Sequence, residues 1–346
     1  MKILHVLYSN RFSGAENVVC QIIGMFRNRP DADVEMVYCS PDGQIREALD
    51  ERKIAFAPIS DLTVPELRRV ISEQKPDVIH AHDMRASFVA ARACKKIPLI
   101  SHIHNNAFDS RAISPKSIAY LLAARKAKRI FWVSESAFEG YAFHKKFEKK
   151  SEVLRNIIDI DALYAKMELD TEEYSYDLAY VGRLTYPKNP QRLMGVIAKM
   201  KELKPDVRVA VVGNGDLEEE THALATQYGI TNNVDFLGFR SNPLKILASS
   251  SSMMMVSRWE GTPMCALEAM ALGVPIVSTP VDGLKVLVTQ DENGYLSDDD
   301  GELAKKAVCI ANDKALRDRL SENTQKKAKI LNDTKEYTNR LLQAYK

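Results

Sequence analysis

This chain of 346 residues lacks paired cysteines and long apolar runs, and both shortages exclude classes of protein. Its five cysteines are scattered and never spaced as C-x-x-C, which argues against a disulfide framework and against a zinc module. No apolar stretch is long enough to cross a bilayer, and the opening MKILHVLYSN turns polar too early for a signal peptide. We therefore expect a cytoplasmic protein that is at most peripheral to a membrane.

The sequence also lacks a strong net charge, since the formal total is only +2, but the charge is unevenly distributed. Residues 85–155 hold 15 basic and 5 acidic side chains, which predicts an anionic partner such as a membrane surface. An ordinary solvated surface gives the same pattern. No recognition helix or base-stacking sheet is indicated, so we expect no nucleic-acid partner. The cations of the second part of this region are Arg125, Lys126, Lys128, Arg129, Lys145, Lys146, Lys149 and Lys150.

Short β-rich runs alternate with helical patterns, which predicts an α/β fold with parallel sheets. Five runs, from KILHVLY to IFWVS, precede a loop and a polar acidic stretch, and five more, from YDLAYVG to PIVST, follow it. We expect two Rossmann-like, doubly wound domains at 1–165 and 166–328, and a helical segment at 329–346. Ligands of such sheets bind at the carboxyl ends of the strands, so we expect the domains to face a cleft.

The stretch WEGTPMCALEAMALGVP places two carboxylates around the start of an apolar helix. We expect Thr262 as the N-cap and Pro263 as the first helical residue, which would leave free N–H groups for a phosphate. Glu268, inside the helix, would need hydrogen bonds that a ribose diol can supply, and Glu260 could reach a sugar beyond the phosphates. In the alternative interpretation, Glu268 pairs with an arginine and Glu260 is solvated.

Two cations flank the loop after the strand YDLAYVG. Arg183 and Lys188, with a helix N-terminus, can neutralise a leaving diphosphate without a metal ion, although solvated loop cations would look the same. Gly14, in SGAE, would let the backbone approach a ligand closely, and Gly213 lies in the turn GNGDL after a strand.

Four histidines form two H-x-H pairs at strand ends, and a period of two puts each pair on one face of its strand. We expect His80 and His102 in the core. A metal site built on all four, and with it a metal-dependent hydrolase, is the alternative. We expect no metal.

At this point the sequence resembles a known family. EGTPMCALEAMALGVPIVST, with its E-x7-E spacing, resembles the signature of the family 4 glycosyltransferases, and YVGRLTYPKNP, DVIHAHDMRA, SGAE and LRNIIDIDAL resemble further segments of that family. Ile157 stands where the family usually has glycine. The resemblance implies a GT-B fold and retaining, metal-independent transfer of a sugar from a nucleotide diphosphate sugar, expected to be a UDP-sugar, to a glycan or lipid-linked acceptor.

The resemblance also implies roles for individual residues. The N-terminal domain would bind the acceptor, the C-terminal domain the donor, and segment 329–346 would return to the N-terminal domain. His104, Arg183, Lys188 and Glu260 would be catalytic. A non-catalytic nucleotide-sugar-binding protein and a GT-B epimerase remain alternatives, and no cofactor is expected. The donor would contact Gly14, Gly182, Arg183, Lys188, Gly213, Glu260, Gly261, Thr262, Pro263, Met264 and Glu268, and the acceptor Ser13, Glu16, His82 and His104.

Overall fold

The computed structural model describes residues 1–104 and 110–346. It divides the chain into two compact units: unit 1 is Met1–Ile157 with Asp333–Lys346, and unit 2 is Ile158–Asn332. The first boundary lies before the expected residue 165 because the following helix packs in unit 2. Its Tyr164 hydroxyl donates to the Ala271 carbonyl over 2.9 Å.

Unit 1 contains a six-stranded parallel sheet in the order β2-β1-β3-β4-β5-β6. The first five strands match predicted runs, and β6 was missed because it is short and half-buried. The strands are β1 Lys2–Val6, β2 Glu35–Cys39, β3 Val78–His82, β4 Leu99–Ile103, β5 Arg129–Trp132 and β6 Ser151–Val153. The helices of its first segment are α1 Gly14–Arg27, α2 Ile45–Glu51, α3 Val64–Gln74, α4 Asp83–Ala93, α5 Pro115–Lys126 and α6 Glu135–Glu139, followed by a 3₁₀ turn at His144–Lys150.

Unit 2 contains a second six-stranded parallel sheet, in the order β12-β11-β10-β7-β8-β9. Again one short edge strand, β12, was missed by the sequence pattern. The strands are β7 Leu178–Val181, β8 Val209–Val212, β9 Val234–Gly238, β10 Met253–Met255, β11 Ile276–Ser278 and β12 Gly294–Leu296. The helices are α7 Ile160–Met167, α8 Pro190–Leu203, α9 Glu218–Gln227, α10 Leu244–Ala248, α11 Met264–Ala271, α12 Asp282–Leu287, α13 Asp300–Asn312 and α14 Lys314–Leu331.

The strand order reverses once in each sheet. In unit 1 the reversal lies between β1 and β3, and in unit 2 between β7 and β10. Crossovers on the two sides of such a point lie on opposite faces of the sheet, so the loops diverge and leave a crevice at the carboxyl ends of the strands. The loops that carry predicted site residues, after β1 and β3 in unit 1 and after β7 and β10 in unit 2, lie at these two crevices.

Helix boundaries follow the capping signals of the sequence. The side chains of Thr63, Ser114, Asp159 and Asp299 each accept a backbone hydrogen bond at the start of α3, α5, α7 and α13. Asp299 thus caps α13, and Asp300 and Glu302 lie in its first turn. Among the described residues, no helix combines the length and the apolar character needed to span a bilayer.

The last helix, α15 (Thr334–Tyr345), belongs to unit 1. Arg29 donates to Thr338 and Asn339 over 2.9 and 2.7 Å, and Arg340 donates to Glu152 over 2.6 Å. The apolar face of the helix is buried, with Leu341 fully inaccessible. The final turn of the chain therefore completes the core of unit 1.

We predict that Leu341→Ala destabilises unit 1 by about 2–5 kcal/mol, because it removes a fully buried side chain and leaves a cavity. Gln343→Ala, on the exposed face of the same helix, should change stability by less than about 0.5 kcal/mol. The free energy of unfolding of each variant is measured by denaturant unfolding, monitored through the amide hydrogen exchange of unit 1. Equal effects of the two variants would contradict the packing of α15.

Candidate active site

The loop after β7 starts with Gly182 and Arg183, and its backbone is held by the loop after β8. A Cβ atom on Gly213 would lie 2.0 Å from the Gly182 carbonyl oxygen, and Gly213 has a φ of +135°. Gly182 donates to the Val212 carbonyl over 3.0 Å. Only glycine fits at position 213, so Gly213 shapes the loop through backbone packing. The Arg183 side chain is exposed.

Lys188 ends a 3₁₀ turn at Tyr186–Lys188 and forms an ion pair with Glu260. Its Nζ donates to Glu260 Oε1 over 2.6 Å, and Ser257 Oγ donates to the same oxygen over 2.6 Å. The Glu260 residue is 8% exposed, so the interpretation of a solvated glutamate is wrong. Burial lowers the pKa of Lys188, but the charge of Glu260 and their hydrogen bond outweigh it, and the pKa is raised overall.

Sequence reasoning missed the role of Arg258, which ties the loop after β10 to the loop after β7. Its Nη2 donates to Asn189 Oδ1 over 3.0 Å, its Nε to the Tyr186 carbonyl over 3.2 Å, and its backbone N–H to the Pro187 carbonyl over 2.8 Å. The guanidinium also lies over the Tyr186 ring, 4.4 Å from its centroid. Three of these four contacts are to backbone carbonyls or to an aromatic ring. Because such contacts require no particular sequence motif, the sequence did not predict them.

Helix α11 starts at Met264, with Pro263 as the N-cap in extended conformation. The expectation that Thr262 caps the helix and Pro263 opens it is therefore wrong by one residue. Proline at this position has ψ of 125°, outside the helical region, and its carbonyl accepts the first helical hydrogen bonds, from Ala266 and Leu267. Thr262 is buried just before the cap.

Glu268 is half-buried, although most of α11 is inaccessible. It shares the partly exposed side of the helix with Cys265, one turn earlier. Burial raises the pKa of the Cys265 thiol to about 12; Lys188 opposes this shift, and Glu260 and Glu268 add to it. These interactions gather the two predicted glutamates and Lys188 around Cys265, a residue that sequence reasoning did not select.

Gly283, in α12, packs against the backbone of the loop that carries Glu260 and Gly261. A Cβ atom there would lie 1.6 Å from the Gly261 carbonyl oxygen and 3.3 Å from that of Glu260. Any side chain at position 283 would displace the backbone that carries Glu260. Gly283 is not among the predicted site residues, because an isolated glycine gives no sign of what it packs against.

At the carboxyl end of β1 in unit 1, Ser13 precedes helix α1 in extended conformation. Ser13 Oγ donates to the carboxylate of Glu16, which is 4% exposed. Gly14 opens the helix, and a Cβ atom added there would meet nothing within 4 Å. The packing of the described chain does not require glycine at position 14.

The predicted histidines lie at the centre of unit 1, joined by a fifth that sequence reasoning missed. His5, on β1, lies beside His80 in the sheet register, and its Nδ1 is 3.0 Å from His82 Nε2. His82 Nδ1 is in turn 2.8 Å from His104 Nε2. His80 and His102 are fully buried, as expected, and His80 Nδ1 lies 2.8 Å from the Tyr345 hydroxyl.

Burial keeps this histidine cluster neutral. It lowers the pKa of His5 and of His104 to about 3 and lowers those of His80, His82 and His102 well below their usual range. Two groups of three, His5/His80/His82 and His82/His102/His104, have ring nitrogens within 4.8 Å of one another and could hold a metal ion. The spacing of the linked nitrogens, 2.8–3.0 Å, fits hydrogen bonds between imidazoles.

The predicted basic surface lies in unit 1, near the end of α5. Six of its eight cations are exposed, and Arg129 and Lys150 are half-buried. Lys150 Nζ donates to the Arg125 and Ala127 carbonyls over 3.0 and 2.8 Å. The 3₁₀ turn at His144–Lys150 is thereby fixed against the end of α5.

Comparison with known proteins identifies both halves of the chain. The family model described as Glycosyltransferase Family 4 matches residues 12–162, and the one described as Glycosyl transferases group 1 matches residues 166–327.

Two curated relatives and one solved structure illustrate the similarity. The UDP-Gal:alpha-D-GlcNAc-diphosphoundecaprenol alpha-1,3-galactosyltransferase of Escherichia coli is 24% identical, over 94% of this chain and 92% of that protein. An uncharacterised glycosyltransferase of Methanocaldococcus jannaschii is 26% identical over 62% of this chain, which spans 58% of that relative's length. Anabaena HepE, solved with UDP and glucose, has a TM-score of 0.86 at 23% identity, over 99% of this chain and 98% of that chain. The predicted GT-B fold is confirmed by this likeness and by the two parallel sheets.

We predict a strong energetic coupling between Lys188 and Glu260. Lys188→Met and Glu260→Gln should each destabilise unit 2 by about 3–5 kcal/mol, because each leaves a buried group without its partner. The double variant should lose clearly less than the sum, with a coupling above about 1 kcal/mol. A double-mutant cycle by denaturant unfolding measures it.

The exposed pair Lys314–Asp318 is the control for that cycle, since its side chains are 78% and 59% accessible. Its coupling should be about 0.3–0.5 kcal/mol. If the Lys188–Glu260 coupling were no larger, the pair would not hold the two loops together.

We further predict that unit 1 loses stability in mild acid before unit 2 does. Histidine pKa values lowered by folding mean that the unfolded chain binds more protons below pH 6.5, so stability falls as pH falls from 6.5 towards 3. Each such histidine removes up to about 1.4 kcal/mol per pH unit. Amide hydrogen exchange, corrected for its intrinsic pH dependence, measures the stability of each unit separately.

Unit 2 is the internal control, because its single histidine, His222, is exposed. A parallel loss of protection in both units between pH 6.5 and 5 would show that the histidine cluster does not set the acid sensitivity of unit 1.

Proposed function

The chain belongs to the glycosyltransferases that combine a family 4 domain with a group 1 domain, and we propose that it moves a sugar from a UDP-sugar to a saccharide or lipid-linked acceptor. The name of the Escherichia coli relative specifies UDP-Gal and a diphosphoundecaprenol-linked acceptor, which supports this choice of substrates. The family assignment leaves the alternative of a metal-dependent hydrolase without support.

The observation that carries the proposal is the Lys188–Glu260 pair beside the start of α11. The Lys188 ammonium has three N–H groups and uses one for Glu260, so two remain for phosphate oxygens. The free N–H groups at the beginning of α11 add a second attractive element for a diphosphate. Arg183, exposed at the end of β7, supplies a further cation.

We assign the donor as follows. The diphosphate binds Arg183, Lys188 and the segment Gly261–Met264, the ribose binds Glu268, and the sugar lies against Glu260. The partly exposed position of Glu268 on α11 supports its assignment to ribose, because a fully buried residue could not reach a ligand. Gly182 and Gly213 shape the loop that we assign to the donor, and Gly14 is the donor-binding residue that we assign in unit 1.

On the acceptor side we propose Ser13, Glu16, His82 and His104. Glu16 and His82 are buried, so they act by orienting Ser13 and His104, to which they are hydrogen-bonded. The neutral state of these imidazoles suits the binding of uncharged sugar hydroxyls.

The proposed reaction retains the configuration of the anomeric carbon. The acceptor oxygen attacks from the face that the phosphate leaves, the bond from carbon to phosphate oxygen breaks, and the acceptor proton passes to the departing phosphate. Arg183, Lys188 and the start of α11 stabilise the charge that develops on the diphosphate, so no metal ion is needed. In unit 2, Glu260 holds the transferred sugar during this step, and in unit 1 we assign His104 a catalytic role on the acceptor side.

We predict that Lys188→Ala or Arg183→Ala lowers kcat by on the order of a hundredfold or more, because the leaving diphosphate loses a cation. Steady-state assays with UDP-sugars without added metal measure this.

UDP should raise the Tm of the wild type more than GDP, ADP or CDP does, through its binding to the folded state.

Lys314→Ala, which removes an exposed cation of α14, is the matched control and should leave both kcat and the UDP shift unchanged. Wild-type rates in the Arg183 and Lys188 variants would remove these residues from leaving-group stabilisation. No Tm shift with any nucleotide would argue against a nucleotide site in unit 2.

We place the protein peripherally on the cytoplasmic face of the cell membrane, where a lipid-linked acceptor would be presented. The excess of cations in residues 85–155 supports this location through attraction to anionic headgroups.

A further inference from the structure

Two aromatic side chains lie together on the loops that carry Lys188 and Glu260. Tyr186 begins the 3₁₀ turn that ends at Lys188, and Trp259 directly precedes Glu260. Their ring centroids are 5.9 Å apart, and the ring planes are inclined by 59°. Because Lys188 donates to Glu260 over 2.6 Å, the two rings lie in the same part of unit 2 as the ion pair.

Tyr186 is open to solvent although its side chain is large and mostly apolar. The residue is 56% exposed, and Trp259 is half-buried. Of the exposed large apolar residues that the structure describes in unit 2, Tyr186 alone shares a loop with a proposed site residue. Single exposed apolar residues are normal on a protein surface, but binding pockets are lined by aromatic side chains. The position of Tyr186 therefore indicates contact with a ligand.

Arg258 holds the Tyr186 ring in place. Its guanidinium carbon lies 4.4 Å from the ring centroid and covers one face of the ring. Its Nε donates to the Tyr186 carbonyl over 3.2 Å, and its backbone N–H donates to the Pro187 carbonyl over 2.8 Å. The exposure of Tyr186 thus belongs to the other face and the edge of the ring. A ring that is already fixed loses little conformational entropy when a ligand binds.

An aromatic face of this kind suits the C–H side of a sugar ring. The π face carries partial negative charge, and the C–H groups of a pyranose carry partial positive charge. A pyranose side on which several C–H groups lie together is weakly hydrated, so it gains when it leaves water for an aromatic ring. A phosphate is repelled by the same negative face, so the diphosphate is not the group that these rings bind.

We propose that Tyr186 and Trp259, the aromatic subsite, bind a pyranose ring through its C–H face. The inference rests on the proposed function, in which the sugar of a UDP-sugar lies against Glu260, the residue after Trp259. It adds a contact that depends on the sugar and not on the nucleotide. The transferred sugar and the terminal sugar of the acceptor share this chemistry, and the test distinguishes them.

Trp259 supplies a direct readout in the wild-type protein. The chain has two tryptophans, and the other, Trp132, is fully buried, so acrylamide quenching of the fluorescence reports on Trp259. If the subsite holds the transferred sugar, UDP-galactose or UDP-glucose protects Trp259 from acrylamide more than UDP does. If it holds the acceptor, methyl glycosides of galactose, glucose or N-acetylglucosamine protect Trp259, and UDP-sugars add nothing to the effect of UDP.

The variant Tyr186→Ser should bind the sugar that protects Trp259 about fivefold more weakly in calorimetry, because it loses one stacking ring. Its affinity for UDP should stay unchanged. Tyr186→Phe keeps the ring and should bind like the wild type. The matched control is Tyr228→Ser, which removes an exposed aromatic ring at the end of α9 and should leave all affinities unchanged.

Two results would overturn the proposal. One is equal protection of Trp259 by UDP, by the UDP-sugars and by UDP together with the glycosides. The other is an equal loss of affinity for UDP and UDP-sugar in Tyr186→Ser, which would place the ring against the nucleotide. Both results leave UDP binding to the wild type intact, and with it the proposed function. No binding of UDP to the wild type would instead contradict the proposed function.

Discussion

The ion pair between Lys188 and Glu260 is the interaction on which the arrangement of unit 2 depends. Glu260 is only 8% exposed, so its side chain needs charged and hydrogen-bonding partners in place of the water that it loses on folding. Lys188 supplies a positive charge and a hydrogen bond, and Ser257 supplies a second hydrogen bond, each over 2.6 Å to Glu260 Oε1. Because Lys188 follows β7 and Glu260 follows β10, the same contact fixes two loops at once. Arg258 ties these loops a second time, and Gly283 supports the Glu260 backbone from the other side.

The strand order makes this contact possible between residues that are far apart in the chain. β7 and β10 are neighbours at the point where the order reverses, so their following loops leave the sheet side by side. The helices of the two halves pack on opposite faces and leave the strand ends open. Unit 1 repeats this geometry between β1 and β3, where His5 and His82 meet.

Local patterns predicted most of the fold, and long-range pairing explains what they missed. Apolar runs identified ten strands, whereas SEV in β6 and GYL in β12 are too short to give a pattern and form through their neighbours. The capping rule displaced the start of α11 by one residue, because Pro263 is extended and takes the N-cap position itself. The sequence could not decide whether Glu260 is buried or solvated, because its burial depends on its contact with Lys188, 72 residues away.

The histidines show the same limit. The expectation that His80 and His102 are buried is confirmed, and each lies inside a strand. His5 is a lone histidine in KILHV, and its place in the cluster follows from the register of β1 against β3. That register is set by the whole sheet and by no motif near His5.

The proposed site side chains at the two strand-end edges differ in charge, and this difference bears on how the enzyme would distinguish its proposed substrates. The edge of unit 2 presents Arg183 and Lys188, which suit a diphosphate. The edge of unit 1 presents imidazoles that burial keeps neutral, which offer hydrogen bonds without a net charge. A diphosphate bound to these imidazoles alone would lose its water without gaining a cation, and that cost disfavours it. A saccharide hydroxyl loses little there. This difference between the two sets of side chains supports the proposal that donor and acceptor bind to different units.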